Sequence, residues 1–240
     1  MGYMKVGIVG FGSFGQFAAR VLAPYAEVFV WSEPAVRPAG ASVVAFDELA
    51  GMDVIILAVP LDAYEPILLK LKPNLRPATV VVDICSVKLQ SREIMLHVLG
   101  DGQNMLVAHP LFGPESAANG TAGHELIVCE AVGERAEACL EFCERELGLK
   151  ITRISAEQHD RVMAYVHVLT FFVARALGRM DMPDIPFKTP SFNELMDLIH
   201  LDSKHSDELF ATIQRGNPFA NEVREAFLHS ASELETQIKT

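Results

Sequence analysis

The sequence predicts an α/β fold in two parts. An N-terminal Rossmann-type parallel sheet occupies residues 1–153, and a C-terminal all-helical dimerisation domain occupies residues 154–240. Three observations carry this. The first half alternates short Val- and Ile-rich runs with helical patterns, a G-x-G-x-x-G turn follows the first run, and strand signals stop after Ile154. The 240 residues, half of them apolar and 21% charged, suffice for one large or two modest domains. That composition excludes disordered, collagen-like and low-complexity chains.

The apolar runs Lys5–Val9, Val28–Trp31, Val54–Val59, Thr79–Asp83, Met105–Ala108 and Glu125–Cys129 read as buried strands, with a last one at Lys150–Ile154. Helical spacing places helices at Phe14–Leu22, Tyr64–Leu71, Leu89–Leu99 and Glu134–Leu147. Ser155 with Gln158 three residues on is a capping-box signal. It opens one long helix, Ala156–Met180, whose middle from Ala164 to Leu177 is apolar on nearly every side. Such a helix is expected to lie between other helices or in a subunit interface. Met182–Pro186 reads as a loop, and helices follow at Ser191–His200, Asp207–Gln214 and Pro218–Ile238. The helical part is expected to complete a cleft and to form a homodimer.

Net charge is −11, spread evenly over both halves, with no Lys/Arg cluster. A nucleic-acid partner is therefore not expected, and anionic ligands must be held by backbone N–H groups and single cations. Cys85, Cys129, Cys139 and Cys143 lack C-x-x-C spacing. Cys139 and Cys143 share a helix face and read as buried thiols of a reducing compartment, so no metal is expected. Met1 leads into a strand without a charged leader, and the longest apolar run, Val54–Leu61, is too short to span a bilayer. A cytoplasmic protein with no membrane partner is expected.

Gly10-Phe11-Gly12-Ser13-Phe14-Gly15 sits between the first strand and the first helix. Gly10 permits the tight turn, Gly12 lets backbone approach a pyrophosphate, and Gly15 allows helix–strand packing. The helix N-terminus offers free N–H groups to phosphate. Pro60, after the Val54–Val59 strand, is assigned to the same cofactor site. At the end of the second strand Ser32 stands where NAD sites carry an acid, Glu33 follows, and Arg37 could meet a 2′-phosphate. These signals conflict and leave NADP or NAD open.

Two further segments end strands: Val82-Asp83-Ile84-Cys85-Ser86-Val87-Lys88 and Ala108-His109-Pro110-Leu111-Phe112-Gly113-Pro114. A histidine beside proline at a strand end points to catalysis. With the glycine turn, D-x-x-S-x-K at Asp83, Ser86 and Lys88, H-P-L-F-G-P from His109, and the pair His159-Asp160, nearly the whole chain resembles the prephenate/arogenate dehydrogenase family. The resemblance implies oxidative decarboxylation of prephenate or L-arogenate with NAD(P) on the route to tyrosine. His109 is the implied base, and Ser86 is similar to the serine that aligns the histidine or the nicotinamide. Asp83 and Lys88 are expected to be structural, and His159 and Asp160 to brace the domain junction. The chain departs from the family at Asn193, where many members carry a carboxylate-binding Arg after an aromatic residue, and at Phe171, where the long helix often carries His. Lys188, Arg161 or a partner-subunit residue is left for the substrate carboxylate, and His167 is either a substrate contact or a core residue. The remaining histidines read as surface residues. Neutral Asn119, where arogenate-using members tend to carry an acid, favours prephenate.

Two rivals share the plan. A β-hydroxyacid dehydrogenase would typically use a lysine on the long helix, which Ala156–Met180 lacks. A nucleotide-sensing dimer would need neither His109 nor Ser86.

Overall fold

The computed structural model describes residues 4–33 and 40–239. These form two compact units that divide between His159 and Asp160. The sequence places the boundary six residues earlier, where the last strand ends. The first turn of the next helix stays with the sheet because Ala156 and His159 are buried there.

In the first unit, eight strands form one sheet in the order β3-β2-β1-β4-β5-β6-β7-β8. They are β1 (Met4–Val9), β2 (Ala26–Trp31), β3 (Ser42–Val43), β4 (Val54–Leu57), β5 (Val80–Asp83), β6 (Met105–Pro110), β7 (Glu125–Val132) and β8 (Lys150–Arg153). The two-residue β3 is too short to give a strand signal and is absent from the sequence reading. β1 to β6 pair in parallel, as crossover connections require. The β6–β7 pair is antiparallel, a departure from the all-parallel expectation. No helix intervenes between these two strands, so the chain turns back on itself. Within this pair Val107 faces Glu130 and Ala108 faces Val128, so Cys129 is the extra residue of a bulge.

Strand alternation sorts the side chains into two apolar layers. Val6, Ile8, Val82, Leu106 and Ala108 pack with α1 (Ser13–Leu22) and α4 (Glu134–Arg145). Val9, Ile55, Leu57, Val81 and Val107 pack on the opposite face with α2 (Tyr64–Leu71) and α3 (Leu89–Leu99). Parallel pairing from β1 to β6 brings the C-terminal ends of these strands to one sheet edge. That edge carries Gly10, Ser32, Ala58, Asp83 and His109, and the chain order reverses there between β1 and β4. Open α/β sheets bind ligands at this position.

The helix expected over Ala156–Met180 is one path with a widened middle. α5 (Ala156–Met163) passes through a π-helical segment, Ala164–Leu169, into α6 (Thr170–Gly178). Ser155 caps it, its Oγ accepting from Gln158 N at 3.1 Å. In the second unit, α7 (Pro190–Ser203), α8 (Asp207–Gly216) and α9 (Ala220–Lys239) follow. The π segment packs on α8 and α9, with Val168 buried against Ile213 and Ala220. Gln214 Nε2 donates to Val168 O at 2.8 Å, which occupies a carbonyl in the wide turn. Arg175 pairs with Asp202 at 2.6 Å and Asp207 at 2.7 Å, tying α6 to α7 and α8. The three helices that follow leave part of the long one bare: Val162, Tyr165 and Val166 stay 47–62% exposed. Ala156–Gly178 is long and apolar enough to cross a membrane by length and composition.

Candidate active site

The glycine turn has the geometry its sequence requires. Gly10 sits at φ +95°, and a Cβ there would lie 2.4 Å from Ala58 O. A Cβ on Gly15 would lie 2.4 Å from Gly10 O, so glycine lets α1 close onto the turn. A Cβ on Gly12 would meet nothing within 4 Å. The approach to Gly12 is open, and α1 starts there with no side-chain cap over its first N–H groups. Ser13 and Phe14 open that first turn. Gly10 N donates to Trp31 O at 2.8 Å, and Ala58 N donates to Val9 O at 2.8 Å. These bonds bring the ends of β2 and β4 beside the glycine turn. Ser32 and Glu33 follow β2, and Pro60 opens the short turn after β4. Backbone donors with room above Gly12 fit a dinucleotide pyrophosphate. Arg37 lies outside the described residues.

On the neighbouring β5, Asp83 is fully buried and accepts four hydrogen bonds. Lys88 Nζ (2.5 Å) and Ser91 Oγ (2.6 Å) reach Oδ2, while Tyr64 OH (2.8 Å) and Cys85 N (2.7 Å) reach Oδ1. Lys88, also fully buried, donates to Ala108 O at 2.7 Å. The ion pair therefore anchors the carbonyl immediately before His109. Burial, with the Asp83 charge beside it, pushes the Tyr64 phenol well above its ordinary range. Sequence reasoning placed the Asp83–Lys88 pair as support and missed Tyr64 and Ser91. Ser91 stands three positions after Lys88, one helical turn on, and was legible from that spacing.

His109 is 3% exposed, and its Nδ1 lies 2.9 Å from Nε2 of fully buried His159. The expected role of His159 as a brace missed this direct contact. A side chain fifty positions away leaves no spacing signal. Ser86 is half-buried on the β5–α3 loop, at the same sheet edge. Asn119 is exposed in the turn that follows H-P-L-F-G-P. His124, which reads as a surface residue, lies against Phe112 with ring centroids 5.1 Å apart.

The substrate residues expected from the helical domain are not brought together. Arg161 stacks on Phe219, 4.2 Å from its ring centroid. Lys188 is exposed before α7. His167 packs against Phe171, which in turn packs against His205, with centroids 5.6 and 4.7 Å apart. This cluster places His167 with the helical packing and corrects the surface reading of His205. Asp160 is buried, and its carbonyl accepts from Asn217 Nδ2 at 2.7 Å.

Residues 38–132 match the model of the prephenate dehydrogenase nucleotide-binding domain. Arogenate dehydrogenases 1 and 2 of Arabidopsis thaliana, both chloroplastic, are each 29% identical to the chain. The alignments cover 98% and 91% of this chain but 39% and 65% of those proteins, so the chain spans under two thirds of either relative. Among solved structures, the A. aeolicus prephenate dehydrogenase, in complex with hydroxyphenyl propionate and NAD+, superposes with a TM-score of 0.76 at 19% identity. It matches 99% of this chain and 91% of that one. Synechocystis arogenate dehydrogenase gives 0.69 at 21%, over 98% and 92%. These two share the fold. A nucleotide-binding domain matched over residues 38–132, similarity to arogenate dehydrogenases along nearly all of this chain and a histidine-proline strand end beside a glycine turn converge on one likeness: the chain is similar to the prephenate/arogenate dehydrogenases.

Proposed function

We propose that the chain oxidatively decarboxylates prephenate with NAD(P). The observation that carries this reading is His109, buried at the end of β6 on the sheet edge that also presents the open glycine turn. The backbone donors around Gly12 would hold the pyrophosphate, and Ser32 and Glu33 stand where the adenosine ribose is read. When bound, the nicotinamide supplies the hydride acceptor. His109, in its neutral form, takes the proton of the ring hydroxyl as the carbon bearing it becomes a carbonyl. Loss of the ring carboxylate as carbon dioxide then returns its bonding pair to the ring, and aromatisation drives the step. Lys88, through Ala108, fixes the backbone from which His109 acts.

Prephenate is chosen over arogenate because Asn119, exposed in the turn after H-P-L-F-G-P, offers no charge to pair with an ammonium group. The arogenate reading is favoured by the two Arabidopsis relatives. Steady-state kcat/KM for both substrates with NAD and NADP decides both choices. A higher value for prephenate supports the proposal, and turnover of neither substrate overturns it. Asn119→Asp should shift the ratio towards arogenate by a few-fold, the size of one exposed charge pairing.

A further inference from the structure

We propose that His159 is a positioning residue that sets the tautomer of His109. The inference rests on the functional reading above for its kinetic meaning, but its structural content stands on one contact. His109 Nδ1 and His159 Nε2 are 2.9 Å apart, with ring planes at 69°. Both rings are withdrawn from water, at 3% and 0% exposure.

A hydrogen bond between two ring nitrogens holds one proton, and a neutral imidazole carries one proton in all. Two neutral arrangements satisfy the contact. In one, His159 Nε2–H donates to His109 Nδ1. The single proton of His109 then sits on Nε2, and neither of its nitrogens can take another from a substrate. In the other, His109 Nδ1–H donates to His159 Nε2, and His109 Nε2 keeps a bare lone pair. Only the second leaves a base. It requires neutral His159 with its own proton on Nδ1. When His109 Nε2 takes up a proton, the imidazolium keeps Nδ1–H on His159, and the bond becomes charge-assisted.

The backbone is built to hold this contact. His109 pairs with Ile127 of β7, and Ile127 pairs with Thr152 of β8. One turn into α5, His159 N donates to Ser155 O at 2.9 Å. With Ala108 O pinned by Lys88, the backbone of His109 is held, and the contact with His159 restrains its ring.

The experiment uses the full chain labelled with ¹⁵N-histidine, the His109 signals being assigned by their loss in His109→Asn. Nitrogen shifts separate a protonated from a bare ring nitrogen, and no substrate is needed. The expected result is a protonated Nδ1 and a bare Nε2 on His109. The reverse tautomer overturns the inference whatever the enzyme turns over. Kinetics add a second arm. His159→Gln places its amide oxygen near the position of Nε2 and should keep most of kcat. His159→Asn, too short to reach, and His159→Phe, of similar size but apolar, should lose about 10–100-fold, part of the roughly 10²–10⁴ of a general base. KM and dinucleotide affinity should hold within about twofold. Equal losses in all three variants, or none, would mean His159 only fills space. If the wild type oxidises neither substrate while the tautomer is as expected, the functional reading fails and the positioning inference survives.

Discussion

At the scale of single residues, the site depends on two buried polar contacts of different kinds. His109 is asked for chemistry: His109→Ala should lower kcat by at least about 10²-fold with dinucleotide affinity unchanged, measured by steady-state kinetics and by fluorescence titration of NAD(P)H. Near-normal turnover would refute its role as base. Asp83 and Lys88 are asked for support. Lys88→Met strands a carboxylate in a dry core and should cost about 3–5 kcal/mol in urea unfolding. Adding Asp83→Asn removes that stranded charge, keeps an acceptor for Tyr64 and Cys85, and should restore much of the loss. If the second change restores nothing, the charge argument is wrong. At two cysteines burial is the largest influence: against the opposing Arg135 charge it pushes the Cys139 thiol up to about 11, and with Cys139 beside it the Cys143 thiol is pushed up to about 12. Neither should react with a disulfide reagent at pH 8 in the native state, as mass spectrometry of the labelled protein would show.

At the scale of elements, the glycine turn separates folding from binding. Gly12→Ala adds a Cβ into open space at an ordinary φ of −66°, so stability should change by less than about 1 kcal/mol. Dinucleotide affinity should nevertheless fall tenfold or more, because that space is where phosphate must approach. Gly15→Ala forces a backbone carbonyl aside and should lose about 1–3 kcal/mol as well as binding. Thermal melts and titrations on the two variants separate these outcomes. At the other end of the strands, Asp53 accepts from Lys5 N at 2.9 Å and pairs with Arg76 at 3.1 Å, joining the starts of β1 and β4. The Lys5 bond, aided by Arg76 against some burial, holds its pKa below the ordinary 3.8. A depressed carboxylate stabilises the fold above its unfolded pKa, and that contribution is lost as pH falls through the folded value. The difference in urea midpoint between wild type and Asp53→Asn should therefore shrink below about pH 4. Elements with strong periodicity were legible from the chain, because Val/Ile runs and 3.6-residue spacing are local signals. The antiparallel return of β7, the widened turn at Ala164–Leu169 and the His109–His159 contact were not, since each is decided by partners distant in sequence.

At the scale of the whole molecule, the exposed face of the long helix asks for cover. Val162, Tyr165 and Val166 recur at helical spacing and stay largely bare within their unit. We propose that a second copy covers them through the helical domain, burying well over the roughly 1,600 Å² of a standard interface. Sedimentation should show a dimer at micromolar concentration, and Tyr165→Asp should shift it towards monomer. A wild-type monomer, or recovery only in the membrane fraction, would contradict this. The net charge of −11 leaves the catalytic edge no general attraction for its anionic ligands. Affinity must come from local donors, so added salt should weaken dinucleotide binding little.

The bulge at Cys129 has a consequence for how this chain can change length. Ahead of it Val128 packs with the α1–α4 layer. After it Cys129 packs with the α2–α3 layer, and Glu130 reaches Arg92 of α3 at 2.7 Å. Two successive residues thus serve the same face, and strict alternation resumes with either one of them removed. Deletion of one residue here leaves every later side chain of β7 facing as before. Loss of a residue is tolerated one residue pair away from His109, where an ordinary strand would turn itself inside out.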